Sequence, residues 1–95
     1  MCGIIGVSSN KSVSATIINS LKKLEYRGYD SAGIATLSNG IINEVKSEGR
    51  VDNLEKNFDL KNLLGNIGIG HVRWATHGIP NSINAHPHSS DNVSV

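Results

Sequence analysis

Asn39-Gly40, set between two apolar segments, commits this chain to antiparallel β-structure before anything else is considered. Both central residues of a tight hairpin turn need positive φ, and Asn followed by Gly adopts that conformation at little cost. The segments on either side, 34–38 and the run through Ile41, Ile42 and Val45, are therefore read as two strands joined by that turn. Upstream of the hairpin, Val13, Ile17, Ile18, Leu21 and Leu24 recur at spacings of three and four, with Asn19, Ser20, Lys22 and Lys23 opposite. This spacing predicts an amphipathic helix ending near Tyr26, with Arg27 in its last turn and Gly28 just beyond. Ser8, Ser9, Asn10, Lys11 and Ser12 form a turn-like stretch that supplies helix caps. Its apolar stripe is the kind that packs into a core.

The rest of the chain alternates in the same way. Gly28-Tyr29-Asp30-Ser31-Ala32-Gly33 reads as a glycine-bounded loop leading into the hairpin. After it, Asp52 or Asn53 caps a second helix with Leu54, Phe58 and Leu63 or Leu64 on one face, ended by Gly65. A further strand spans 67–78, and its alternating glycines, Gly68 and Gly70, imply that something approaches the backbone closely on one face. Asn84-Ala85-His86-Pro87-His88 is a compact polar loop, and 92–95 has the alternation of an incipient strand.

Ninety-five residues make at most one small domain. Net charge is +1, with 9 basic and 8 acidic residues dispersed along the chain, which gives no footprint for nucleic acid or an anionic membrane. A single cysteine excludes an internal disulfide and suits a reducing compartment. With no signal-peptide pattern and no apolar run of about 20 residues, a cytoplasmic location is expected.

That one cysteine is Cys2, followed by Gly3 and the apolar residues Ile4, Ile5 and Val7, which read as a buried strand. Loss of Met1 would leave a thiol and a free α-amine on one residue, with pKa values of about 8.5 and about 7.7–8.0. An N-terminal amine of this kind can serve as the base for the adjacent nucleophile. Isolated cysteines are usually small buried hydrophobes, but position two ahead of a strand favours the nucleophile. A second cluster lies in Gly70-His71-Val72-Arg73-Trp74-Ala75-Thr76-His77-Gly78. Arg73 offers a planar fork suited to a carboxylate, Trp74 a large apolar wall, and Thr76 and His77 short hydrogen-bonding groups. Taken together with the two glycines, the cluster favours a site for a small polar ligand. A metal site of His71, His77, His86 and His88 is the weaker reading, because strand spacing gives no closed set of ligands.

Taken in order, Met1-Cys2-Gly3-Ile4-Ile5-Gly6, Leu24-Glu25-Tyr26-Arg27-Gly28-Tyr29-Asp30-Ser31-Ala32-Gly33, the 70–78 cluster and Asn84-Ala85-His86-Pro87-His88 resemble a known family. It is the glutamine–fructose-6-phosphate aminotransferase (glucosamine-6-phosphate synthase) family, whose N-terminal glutaminase domain is an N-terminal-nucleophile, or type-2, glutamine amidotransferase domain. The purine-pathway phosphoribosyl amidotransferase and asparagine synthetase resemble the chain less well. The resemblance implies an α+β fold, the four-layer αββα sandwich of N-terminal-nucleophile hydrolases, present here only in part. It implies that residues 1–95 are the N-terminal part of that domain, without the sugar-isomerase domain.

It further implies that Cys2 attacks the side-chain amide of glutamine, that Arg73 binds the glutamine α-carboxylate, and that Trp74, Thr76 and His77 line the pocket. Arg27 and Gly28 would lie near the nucleophile. The family uses no metal or organic cofactor, passes ammonia to fructose 6-phosphate for amino-sugar biosynthesis, and works as a homodimer. Its oxyanion-hole Asn-Gly pair and its acidic residue for the α-amine would follow Val95. The alternative expectation is an inactive remnant, or a partner-binding fragment of that enzyme.

Overall fold

A computed structural model describes residues 3–25, 31–57, 63–73, 86–89 and 94. Its elements are β1 (Gly3–Ser8), α1 (Ser14–Leu24), β2 (Ser31–Ser38), β3 (Ile41–Glu48), α2 (Asp52–Asn57) and β4 (Ile67–Arg73). The four strands form one antiparallel sheet in the order β1-β4-β2-β3. The hairpin is as the Asn-Gly pair dictates: Asn39 and Gly40 both have positive φ, 53° and 76°, and Ser38 pairs with Ile41. Those two angles match the right-handed twist of the strands they join.

Alternation sorts the sheet into two faces. Gly68, Gly70 and Val72 of β4 are buried and lie in register with Thr36, Ile34 and Ala32 of β2, and with Val7, Ile5 and Gly3 of β1. Helix α1 packs on this face. Val13, just ahead of it, and its own Ile17, Ile18 and Leu21 meet Ala32, Ile34, Val51, Leu54, Leu63 and Val72 in one apolar core. A Cβ built on Gly70 would lie 2.5 Å from Ile17 Cγ2, and one on Gly68 would lie 2.7 Å from Ile17 Cδ1. The glycines of β4 therefore admit a helix side chain. The expectation that they leave room for a ligand is corrected: the close approach they permit is taken up by Ile17.

Other boundaries also differ from expectation. The apolar residues of β1 do not make a buried strand, because β1 is an edge; Ile4 is 72% exposed, while Ile5 and Val7 are partly buried against α1. β2 begins at Ser31, inside the stretch read as a loop, because Ser31 and Ala32 already pair with Arg73 and Val72.

No side chain caps α1. Val13 occupies the cap position, and its backbone N–H donates to the Gly65 carbonyl at 3.0 Å. Ser9 instead accepts from the Lys11 N–H through Oγ, and its own N–H donates to the Asn66 carbonyl at 2.9 Å. Long-range backbone bonds thus replace the expected serine caps. α1 ends at Leu24 with Glu25 as its C-cap, and Lys22 and Lys23 in its last turn complement the helix dipole.

Asp52 is the first residue of α2, and the Asn53 side chain donates from Nδ2 to the Glu48 carbonyl at 2.9 Å. Leu63, Leu64 and Gly65 are not helical, so the second helix does not run on to Gly65. Phe58 and Tyr26 lie outside the described residues, as does the 74–78 part of the predicted fourth strand. Ser89 and Ser94 form an isolated antiparallel bridge, the one described trace of the incipient strand near the end of the sequence. Among the described residues there is one sheet with helices packed on one face. No helix among them is long and apolar enough to cross a membrane.

Candidate active site

The face of the sheet turned away from α1 carries Ile67, Ile69, His71 and Arg73 from β4, each paired with a residue of β2: Leu37, Ala35, Gly33 and Ser31. At the Ile67 end this face is apolar, with a cleft of about 200 Å³ lined by Ala35, Leu37, Ile42, Ile67, Ile69 and Ser94 among others. Toward Arg73 it becomes polar. The same strand therefore changes chemistry along its length, and the change is built into the odd-numbered residues of β4.

Residues 86–89 lie over the polar end. The His71 and His86 rings are 4.6 Å apart between centroids and tilted by 40°, and His86 and His88 are 4.4 Å apart in an edge-to-face arrangement. Ser89 Oγ bonds to Glu44 Oε2 and to Ser94 Oγ, the latter at 2.8 Å. Glu44 Oε1 pairs with Lys46 Nζ at 3.4 Å. Partial desolvation, then the neighbouring His86 and Lys46, push the His88 imidazole below its ordinary value of 6.5; Arg73 acts in the same direction and Glu44 against it. The residue expected to bind a carboxylate is thus close enough to this histidine group for its charge to be felt there.

Of the expected site residues, Arg73 is described, at the C-terminal end of β4. Cys2, Arg27, Gly28, Trp74, Thr76 and His77 lie outside the described residues. Gly3, the residue after Cys2, pairs with Val72, the residue before Arg73. The antiparallel pairing of β1 with β4 brings the two motifs, far apart in sequence, to one end of one sheet. His77 apart, three of the four histidines considered for a metal come together, but no group of three His, Cys, Asp or Glu among the described residues has the geometry to hold a metal ion.

Sequence reasoning missed the direct stacking of His71 with His86 and of His86 with His88, beside Gly33 on the neighbouring strand. A second polar cluster, Lys22, Glu25, Arg50 and Asp52, lines a groove between α1 and α2. Its ion pairs, Lys22 with Asp52 at 3.6 Å, Lys22 with Glu55, and Arg50 with Glu25 at 3.5 Å, join the two helices at the surface.

Two solved structures share this architecture. The chain aligns over 99% of its length with glutamine phosphoribosylpyrophosphate amidotransferase from B. subtilis complexed with ADP and GMP, at a TM-score of 0.80 and 26% identity, covering 20% of that chain. It aligns equally with a structure described as the allosteric regulatory enzyme of purine biosynthesis, at a TM-score of 0.81 and 27% identity, covering 21% of that chain. The class defined by the fold is the N-terminal-nucleophile glutamine amidotransferases. No family model matches the chain.

Curated relatives resolve the class further. Over all 95 residues the chain is 54% identical to glutamine–fructose-6-phosphate aminotransferase [isomerizing] of Agrobacterium fabrum, 54% to that of Clostridium acetobutylicum and 55% to that of Brucella abortus. Over its whole length the chain is thus similar to the N-terminal region of glutamine–fructose-6-phosphate aminotransferases. The chain spans 16% of the length of each of these relatives.

Proposed function

We propose that these residues form the N-terminal part of a glutaminase domain that releases ammonia from glutamine, with Cys2 as the nucleophile and Arg73 as the anchor for the substrate α-carboxylate. The observation that carries this reading is the register of β1 on β4. Cys2 is bonded to Gly3, and Gly3 faces Val72 beside Arg73. Consecutive Cα atoms are about 3.8 Å apart, so Cys2 is one residue along the chain from the end of the sheet that carries Arg73.

The chemistry follows from the residue types. With Met1 gone, the α-amine of Cys2 accepts the thiol proton, and sulfur attacks the side-chain amide carbon of glutamine. The tetrahedral intermediate collapses as the leaving nitrogen takes that proton and departs as ammonia, leaving a glutamyl thioester. Water, giving a proton to the same amine, attacks the thioester, and glutamate leaves as the thiol is restored. Arg73 holds the far end of the substrate through a bidentate pair, which fixes the distance between carboxylate and reacting carbon. Trp74, Thr76 and His77 complete the pocket, with Arg27 and Gly28 beside the nucleophile.

In the whole protein to which such a region belongs, the ammonia goes to fructose 6-phosphate and yields glucosamine 6-phosphate. The reading extends to a homodimer working in the cytoplasm, without nucleic acid, membrane or organic cofactor. Glutamate release by the full-length protein tests it: Cys2→Ala should lose the activity entirely. Glutamate release that survives Cys2→Ala would overturn the reading.

A further inference from the structure

Residues 86–89 are held on the sheet by backbone packing as well as by rings. A Cβ built on Gly33 would fall well inside contact distance of the His86 carbonyl oxygen and 2.7 Å from Pro87 Cδ. Both obstacles are fixed: one is backbone and the other part of a ring. Pro87 is itself wholly buried. Gly33 pairs with His71 across β2 and β4, and the His71 ring stacks on that of His86. The seat on Gly33 and the stack on His71 therefore act at one point of the sheet, two residues before Arg73.

We propose that Gly33 and the imidazole column His71–His86–His88 are positioning residues of the glutamine site, holding the 86–89 strap against the sheet face that presents Arg73. The proposal rests on the glutaminase reading and names residues that touch no reacting atom. Its physical content is bracing: His71 lies on the same face of β4 as Arg73, two residues before it, and the His86 ring and the buried Pro87 pack the strap onto that face. A carboxylate anchor held in this way keeps its place; one that shifts by about 1 Å can lose on the order of 100-fold in rate.

The test uses steady-state glutaminase kinetics of the full-length protein, with a glutamine-analogue electrophile to count competent Cys2 sites. Gly33→Ala should raise KM for glutamine about tenfold while kcat per titrated site changes little. His86→Ala should do the same. His86→Phe, which keeps a ring in the stack, should restore KM toward the wild-type value. KM values left unchanged by Gly33→Ala and His86→Ala, with only fewer titratable sites, would mean that the strap serves the fold alone and would overturn the proposal. A wild-type protein without Cys2-dependent glutamate release would overturn the glutaminase reading and this proposal with it. Cys2-dependent release whose KM ignores Gly33→Ala and His86→Ala would overturn this proposal alone.

Discussion

One methyl group at position 70 probes the tightest packing in the described core. Gly70→Ala would place its Cβ 2.5 Å from Ile17 Cγ2 and 3.1 Å from both Ile5 Cγ2 and Leu21 Cδ1. Ile17 and Leu21 are wholly buried, so relief must come from moving α1 off the sheet. The expected cost is about 1–3 kcal/mol of stability, read from the urea midpoint; an unchanged midpoint would mean that α1 has slack above β4. Thr36 tests a polar detail of the same core. Its hydroxyl donates to the Leu64 carbonyl at 2.8 Å, tying the chain ahead of β4 to β2. Thr36→Val keeps the shape and loses the bond, at about 1 kcal/mol, whereas Thr36→Ser keeps it. At the site, Arg73→Lys keeps the charge and loses the fork. About 1.5–3 kcal/mol of charge-assisted hydrogen bonding is then at risk, so KM for glutamine should rise at least about tenfold with kcat little changed. A fall in kcat with KM unchanged would place Arg73 elsewhere in the mechanism.

Elements differ in how far their own residues reveal them. The β2–β3 hairpin was legible because a two-residue turn is a local event: Asn39 and Gly40 carry the whole signal. α1 was legible from its 3.6-residue spacing, although not its start, since Val13 N–H is bonded to Gly65, a partner distant in sequence. β1 was misread as buried because an apolar run says nothing of whether a strand has neighbours on both sides. The β4 glycines signalled a close approach correctly, but alternation cannot tell a helix side chain from a ligand. The 86–89 strap was legible only as part of a compact polar loop, for its partners, Gly33, His71 and Glu44, lie on other strands. That strap gives the element-scale prediction. The folded-state value of His88 lies below 6.5, so as pH falls the unfolded chain takes up the proton first. The contribution is fully present above 6.5 and is lost as pH drops from there toward the lowered folded value. Urea midpoints measured between pH 7.5 and pH 5 should fall more steeply for wild type than for His88→Asn; parallel curves would count against a desolvated His88.

Among the described residues, one face of the sheet is under helices and the other carries residues 86–89 together with exposed apolar side chains. Ile4 is 72% exposed, Ile67 52% and Leu37 41%, and register places them on the same, helix-free face. With a net charge of only +1 to keep copies apart, residues 1–95 expressed by themselves should associate as concentration rises. Ile4→Lys with Ile67→Lys should lower the association seen by sedimentation velocity; equal association in the double variant would place the contact elsewhere. At this scale the β1–β4 pairing places Gly3 opposite Val72, and the proposed function has Cys2 and Arg73 serve one substrate. The measurement that tests this most directly is intact-mass analysis and peptide mapping of the full-length protein after reaction with a glutamine-analogue electrophile. The expected result is a protein lacking Met1 that carries one adduct, on Cys2, with glutamine protecting and Arg73→Lys weakening that protection. An adduct on a protein that retains Met1, or no adduct on Cys2 at all, would contradict the account of Cys2 as an N-terminal nucleophile.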